Sequence, residues 1–233
     1  MVKIVISGAE GRMGKRIMEL AGNGSAFSVV GGIELRGIPG SNIAADLKDI
    51  KQDYDCIIEF TTPQVTIEHV KKANKAMVIG TTGLSAEEIE TVKKASRKIP
   101  IVFAPNMSVG VNVCFGLIAK AAEILGKDYK PRIMEAHHTH KKDKPSGTAK
   151  LMANIISEKT GIEDIPVESI REDEIVGDHE IVFESDVDTV KILHSAKTRD
   201  IFALGALKAA QFVVTKKNGL FSMADVLGLR IKD

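Results

Sequence analysis

The stretch VKIVISGAEGRMGKRIMELA, residues 2–21, constrains the fold more than any other part of the chain. A β-branched run from Val2 to Ile6 breaks at Gly8, Gly11 and Gly14, and helical spacing then resumes through Ile17, Leu20 and Ala21. This order predicts a strand, a tight turn and a helix. A second apolar strand is predicted over FSVVGGIE, 27–34, and it closes on Glu34, 20 residues beyond Gly14. Glycines in such a turn let the backbone approach a pyrophosphate at the helix start, and an acid ending the second strand can accept a ribose hydroxyl. The spacing is GxxGxxG in place of GxGxxG, a weak signal alone that the strand–turn–helix context strengthens.

The alternation continues with YDCIIEF and a helix from about Val65 to Asn74, AMVIGTTG and a helix from about Ser85 to Lys98, then IPIVFAPN. Near-continuous apolar strands alternating with helices predict a parallel sheet covered on both faces. Ligands of such sheets bind beyond the carboxyl ends of the strands. The polar tips at Thr61 to Pro63, Gly80 to Gly83 and Ala104 to Met107 are therefore expected to line one cleft, although each alone also reads as an ordinary turn or helix cap.

After residue 108 the pattern changes. VGVNVCFGLIAKAAEILG reads as a long buried helix, PRIMEAHH as a strand, and SGTAKLMANIISEKTG as a helix stopped by Gly161. The segments ESIREDEIVGDHEIVFES and TVKILHSAKT alternate as antiparallel strands do, which predicts a smaller α+β unit. From about Arg199 the chain returns to helix and ends in GLFSMADVLGL.

Residues 135–150, EAHHTHKKDKPSGTAK, carry three histidines and four lysines. Ser146, Gly147 and Thr148 precede the apolar run Leu151, Ile155, Ile156, which marks a helix amino terminus able to hold an anion on its free N–H groups. Lys141, Lys142 and Lys144 add positive charge. His137 and His138 point to opposite faces if they end a strand, so one can exchange a proton while the other binds. An imidazole near its ordinary titration range suits a general acid, a lysine among other cations can share that role, and Asp143 can anchor one of the cations. The blander assignment makes Ser146 or Thr148 a helix cap worth about 1 kcal/mol. A metal site is disfavoured because His137, His138 and His140 cannot easily converge on one ion from a strand and no further ligand stands at metal spacing. His140 is expected to be supporting or exposed, and His69, His179 and His194 structural. The whole reads as a site for an acidic small molecule that needs proton transfer.

Basic and acidic residues number 32 against 31, so no global field favours nucleic acid or a membrane surface. No apolar run reaches the roughly 20 residues of a spanning helix, and the run at the amino terminus is too short for a signal peptide. Cys56 and Cys114 lie in apolar contexts and are expected to be small buried hydrophobes in a reducing, cytoplasmic setting.

The motif of Glu135, Ala136, His137, His138, Lys141, Asp143, Pro145, Ser146, Gly147, Thr148 and Ala149 resembles the hallmark of the 4-hydroxy-tetrahydrodipicolinate (dihydrodipicolinate) reductase family, EAHHxxKxDxPSGTA. The similarity extends to GAEGRMG, EFTTP, VIGTTG, APNMSVGVN, IVGDHEIVF, RDIFALGA and GLFSMADVLGL. The resemblance implies an α/β fold, with a Rossmann-like doubly wound parallel sheet over 1–108, a smaller α+β domain for substrate binding and tetramerisation over 109–198, and a carboxy-terminal segment, 199–233, returning to the first domain. It implies hydride transfer from NADH or NADPH to a cyclic dicarboxylate imine in the diaminopimelate route to lysine, by a homotetramer. Carried over by position, Gly8, Ala9, Glu10, Gly11, Arg12, Met13, Glu34, Gly80, Thr81, Thr82, Ala104, Pro105, Asn106 and Met107 would touch the dinucleotide. His138, Ser146, Gly147 and Thr148 would bind substrate, while His137 and Lys141 would handle protons.

Two stretches depart from the family pattern. Many members have a basic residue directly after the acid ending the second strand, whereas Glu34 is followed by Leu35 and then Arg36, which is placed to meet a 2′-phosphate; dual cofactor use leaning to NADH is expected. The stretch between Gly161 and IVGDHEIVF is shorter than usual, with a loop-and-strand segment expected to be missing around Pro166 to Ser169.

Overall fold

Residues 1–229 are described by a computed structural model, in which the apolar run after Met1 forms strand β1 (Val2–Ser7), buried from Ile4 to Ser7. Gly8 follows with φ +78°, a conformation that costs glycine least, and its carbonyl accepts the Gly11 N–H at 3.0 Å. Helix α1 (Arg12–Gly22) starts there, and a Cβ on its Gly14 would run into the Gly8 carbonyl oxygen. The glycine spacing therefore sets how tightly turn and helix nest.

The chain continues through β2 (Phe27–Ile33), β3 (Ile43–Ala44), β4 (Cys56–Glu59), α2 (Pro63–Lys72), β5 (Ala76–Ile79), α3 (Ala86–Ser96), β6 (Pro100–Phe103) and α4 (Val109–Leu125). Next come β7 (Lys130–His137), α5 (Gly147–Thr160), β8 (Val167–Arg171), β9 (Asp178–Glu184), β10 (Thr189–Ser195), α6 (Asp200–Val213), β11 (Gly219–Phe221) and α7 (Met223–Leu227). Caps explain several starts: Thr62 accepts from Val65 N–H ahead of Pro63, Ser85 and Glu88 form a capping box, and Ser146 accepts from Ala149 N–H. Gly161, at φ +69°, closes α5.

Two units divide the chain, one of Met1–Val109 with Phe202 onward, the other Gly110–Ile201. The first holds a parallel sheet in the order β11-β6-β5-β4-β1-β2-β3. Its strands alternate between two cores, as period-2 geometry requires. Ile4, Ile6, Ile58 and Val78 pack with Ile17 of α1 and Ala206 and Ala210 of α6. Val5, Ile57, Met77 and Ile101 pack with Ile67 and Val70 of α2 and Val92 of α3. Of the expected carboxy-terminal segment, residues 230–233 lie outside the described residues.

The second unit holds the order β10-β9-β7-β8, with Ile133, Ile181 and Phe183 packed against Cys114 and Ile118 of α4 and Met152 and Ile156 of α5. Two expectations need correction. Strands β9 and β10 are antiparallel to their neighbours, but β8 runs parallel to β7, because α5 carries the chain back to the start of β7 before β8 begins. Residues 167–171 form β8 in this chain. Helix α4 buries only the stripe Val111, Cys114, Ile118 and Ala122, while Leu117 and Ile124 are 53% and 71% exposed. Apolar residues all round a helix do not by themselves bury all of it within one chain. Both cysteines are free and buried, and burial pushes their thiols up.

Candidate active site

All strands of the first sheet end at one edge, β1 in the Gly8 turn, β2 in Glu34, β4 in Phe60 to Thr62, β5 in Gly80 to Thr82 and β6 in Ala104 to Met107. A cavity of about 360 Å³ opens there, walled by Gly8, Ile33, Glu34, Thr61, Thr62 and His69 among others. The Glu34 carboxylate is fixed by the Glu10 N–H at 2.7 Å, and Glu10 in turn pairs with Lys15 at 2.9 Å. A Cβ on Gly8 would lie 2.7 Å from the Phe60 carbonyl oxygen, so the turn is a backbone-lined cradle that side chains cannot enter. An acid beside such a cradle fits a dinucleotide's ribose and pyrophosphate.

Of the residues expected at this ligand, Gly8 and Glu34 line the cavity. Glu10, Gly11, Arg12, Arg36, Thr82 and Pro105 are exposed, Met13, Gly80 and Asn106 are half-buried, and Ala9, Thr81, Ala104 and Met107 are buried. The Met107 side chain belongs to the hydrophobic core, so it is a packing group. Beneath the tips lies a polar lattice. Fully buried Glu59 bonds His69 Nδ1 at 2.7 Å and accepts from Thr61 Oγ1, while Thr81 Oγ1 accepts the Thr61 N–H at 3.1 Å and meets Thr66 Oγ1 at 2.9 Å. The lattice ties the ends of β4 and β5 to α2.

The second unit gathers the hallmark motif around Glu135. Glu135 and His137, two apart on β7, share its inner face, and His137 Nδ1 hydrogen-bonds Glu135 Oε2. The other oxygen, Oε1, accepts from Arg171 Nη2 at 2.7 Å and from the Ser146 N–H at 3.3 Å. Ser146 Oγ lies 3.4 Å from His179 Nε2, and the His179 ring stands edge-on to His137 with centroids 5.2 Å apart. Ser146 therefore caps α5 and touches the histidine cluster at once. His138, half-buried, faces the other way, and its Nε2 accepts from Arg199 Nη2 at 3.4 Å. Lys141 pairs with Asp143 at 2.8 Å, as expected of an anchor, and Arg171 also donates to the Asp143 carbonyl at 2.6 Å. Lys142, Lys144, Gly147 and His140 are exposed, and Thr148 is half-buried. Among the described residues no three His, Cys, Asp or Glu side chains are grouped to hold a metal.

Burial would raise the Glu135 carboxyl, but Arg171 first, then Ser169 and His137, outweigh it and bring it down to about 2. Burial lowers His137, the Glu135 carboxylate opposes this, and the charges of Lys141 and Arg171 add to the lowering. The imidazole is thus neutral at rest, in place of the expected ordinary titration near neutrality. His179 is brought down to about 4, by burial first and then by His137.

Three members of this cluster escape sequence reasoning. His179, expected to be structural in a general sense, touches both His137 and Ser146. Arg171 comes from a strand 36 residues from Glu135, and Arg199 from the segment leading into α6. IVGDHEIVF and RDIFALGA carry His179 and Arg199 and were the available signals; for Arg171 there was none.

Residues 2–107 match the family model for the amino-terminal part of dihydrodipicolinate reductase, and residues 110–227 that for its carboxy-terminal part. The chain belongs to the dihydrodipicolinate reductase family. Members are dinucleotide-dependent reductases of lysine and diaminopimelate biosynthesis. The chain is 39% identical to a 4-hydroxy-tetrahydrodipicolinate reductase of Geotalea uraniireducens (strain Rf4), over 99% of this chain and 100% of that one. It is 40% identical to the reductase of the same name from Polynucleobacter necessarius subsp. necessarius (strain STIR1), over 98% and 100%. The first alignment spans 267 positions against 233 residues here, so that dihydrodipicolinate reductase carries segments this chain lacks. The fold is also that of a dipicolinate-bound dihydrodipicolinate reductase from Paenisporosarcina sp. TG-14, with TM-score 0.83, 24% identity and coverage of 97% of this chain and 98% of that one. Among the described residues no helix is long and apolar enough to cross a membrane.

Proposed function

We propose that this chain reduces 4-hydroxy-tetrahydrodipicolinate with NAD(P)H and a proton, giving tetrahydrodipicolinate, NAD(P)⁺ and water. The observation that carries this reading is the convergence of His137, Glu135, Ser146, Arg171 and His179 at the amino terminus of α5. The substrate carries two carboxylates, which suit the helix start at Gly147 and Thr148, where the Ser146 N–H is already given to Glu135, and the outward-facing His138, since charge-assisted bonds to carboxylate are about twice as strong as neutral ones. Lys141, steered by Asp143, supplies a cation and donates a proton, and neutral His137 exchanges one at its ring.

The bound dinucleotide supplies the hydride. The glycine turn from Gly8 to Met13 would hold its pyrophosphate, Glu34 its adenosine ribose, and Gly80 to Thr82 with Ala104 to Asn106 the nicotinamide half. The Glu34 carboxylate, already oriented by the Glu10 N–H, favours the free ribose hydroxyls of NADH, and exposed Arg36 is the group able to meet a 2′-phosphate. A charged hydrogen bond of about 1.5–3 kcal/mol corresponds to roughly a tenfold to 150-fold preference if one effect acts alone. In this reading 1–108 binds the dinucleotide, 109–198 binds substrate and assembles a homotetramer, 199–233 returns to the first domain, and the enzyme works in the cytoplasm.

The test is oxidation of NADH and NADPH by the purified protein, with substrate made in place from pyruvate and aspartate semialdehyde by the preceding synthase. Oxidation that needs the synthase, with competition by dipicolinate, supports the assignment. Binding of both cofactors without consumption of either overturns it.

A further inference from the structure

Resting on the reductase reading, one question is what fixes the nitrogen through which His137 exchanges its proton. Glu135 has no exposed surface, and both carboxylate oxygens are engaged from different elements. Oε1 takes the Arg171 guanidinium from β8 and the first N–H ahead of α5, and Oε2 faces His137 Nδ1. Arg171 is itself held, with Nη1 donating to the Ile170 carbonyl and Nη2 to that of Asp143, both at 2.6 Å. A carboxylate kept ionised in this way can only accept hydrogen bonds, so the proton on the neutral imidazole must sit on Nδ1 and the lone pair on Nε2. The Nε2 side is kept clear by Gly177, where a Cβ would stand 3.0 Å from that atom.

We propose that Glu135, braced by Arg171, is the positioning residue that sets the tautomer of His137 and so assigns proton exchange to Nε2. Glu135 touches neither substrate nor cofactor in this assignment and acts through the imidazole. The charged and titratable groups facing that ring are Glu135 on its own strand, Arg171 on β8, His179 on β9 and Lys141 in the loop after β7. Of these, only Glu135 presents an acceptor to Nδ1.

The experiment reads the tautomer directly, by two-bond proton–nitrogen correlation on the full-length protein with ¹⁵N-labelled histidine, the His137 signals being assigned by their loss in His137→Gln. Wild-type His137 is expected as the Nδ1–H form. In Glu135→Gln the side-chain amide can donate as well as accept, so the Nε2–H form is expected to appear, with kcat down about 10²-fold and KM little changed, because a misassigned proton affects the chemical step. Loss of the carboxylate also moves the His137-dependent limb of the pH–rate profile to lower pH. Should Glu135→Gln fail to fold, Arg171→Lys keeps the charge but not the guanidinium's bonds to the Ile170 and Asp143 carbonyls that brace it against Glu135, and is expected to give a smaller shift of the same kind. An Nε2–H signal in the wild type, or a signal and kcat unchanged in a folded variant, overturns the proposal. The tautomer is read without substrate, so the expected signals in a protein that reduces nothing would uphold the positioning role while refuting the reductase reading.

Discussion

Replacing Arg171 by methionine removes the cation from a carboxylate with no exposed surface, and both its cost and its pH dependence follow from the geometry. The Arg171 side chain is only 7% exposed and lies 2.7 Å from Glu135. Breaking such a buried pair by removing one partner costs about 3–5 kcal/mol, because the other charge is left buried. At roughly 2–4 °C per kcal/mol for a chain of this length, the melting midpoint should fall by about 10 °C at pH 7. The sign of the pH effect is the sharper test. In the wild type Glu135 sits at about 2, below its ordinary 4.5, so its contribution is fully present above 4.5 and is lost as the pH falls through 2. In Arg171→Met the largest lowering influence is gone and burial acts against the charged form, so the carboxyl rises above its ordinary value. The folded variant then takes up a proton more readily than the unfolded chain, and its deficit should shrink between pH 7 and pH 5. Paired thermal melts at the two pH values measure this. A midpoint within 2–3 °C of wild type at pH 7, or a deficit that does not change with pH, would refute the view that Arg171 holds a buried charge.

Lys141→Ala should lower turnover by about 10²-fold or more with unchanged circular dichroism, since the cation beside Asp143 is lost; activity near wild type would remove it from proton handling. Gly177→Ala should lower kcat while leaving dinucleotide affinity by calorimetry intact, because the added methyl presses on His137 Nε2. Glu34→Gln should reduce the NADH-to-NADPH ratio of kcat/KM about tenfold, and no change would mean that Glu34 does not read the ribose. Finally, His179 at about 4 refuses a proton that the unfolded chain accepts near 6.5, so stability should decline by up to about 3 kcal/mol as pH falls through that window. Denaturant titrations should show that part of the decline missing in His179→Leu.

The parts of this molecule readable from its sequence are those set by neighbours in the chain. The Gly8 turn, the period-2 strands around Ile4 and Ile57, and the Ser146 cap are all local, and so is the placement of Glu135 and His137 on one face of β7. What was hidden depends on distant pairing. His179 occupies an inward position in DHEIVFE that reads as ordinary strand alternation, and only its register opposite Glu135 brings it to the site. Arg171 is likewise delivered by register, opposite His137. The parallel direction of β8 had a usable signal, since a strand, a helix and a strand in succession commonly form a parallel crossover. The alternation of the later segments points to antiparallel pairing instead. The exposed side of α4 has no sequence signal, because its apolar residues surround the helix.

Strand β11 and helix α6 have a consequence for the order in which the protein takes shape during synthesis. The first 109 residues leave the ribosome with β6 as an open strand edge and one sheet face lacking Ala203, Ala206, Leu207 and Ala210. Those partners are made only after the whole of the inserted unit, so the first sheet must wait, partly uncovered, until Phe221 has been translated. Exposed strand edges and apolar faces of this kind invite association between nascent chains. Slowing translation within the inserted unit should therefore increase aggregation, and chains halted before α6 should occupy chaperones longer than the finished protein does.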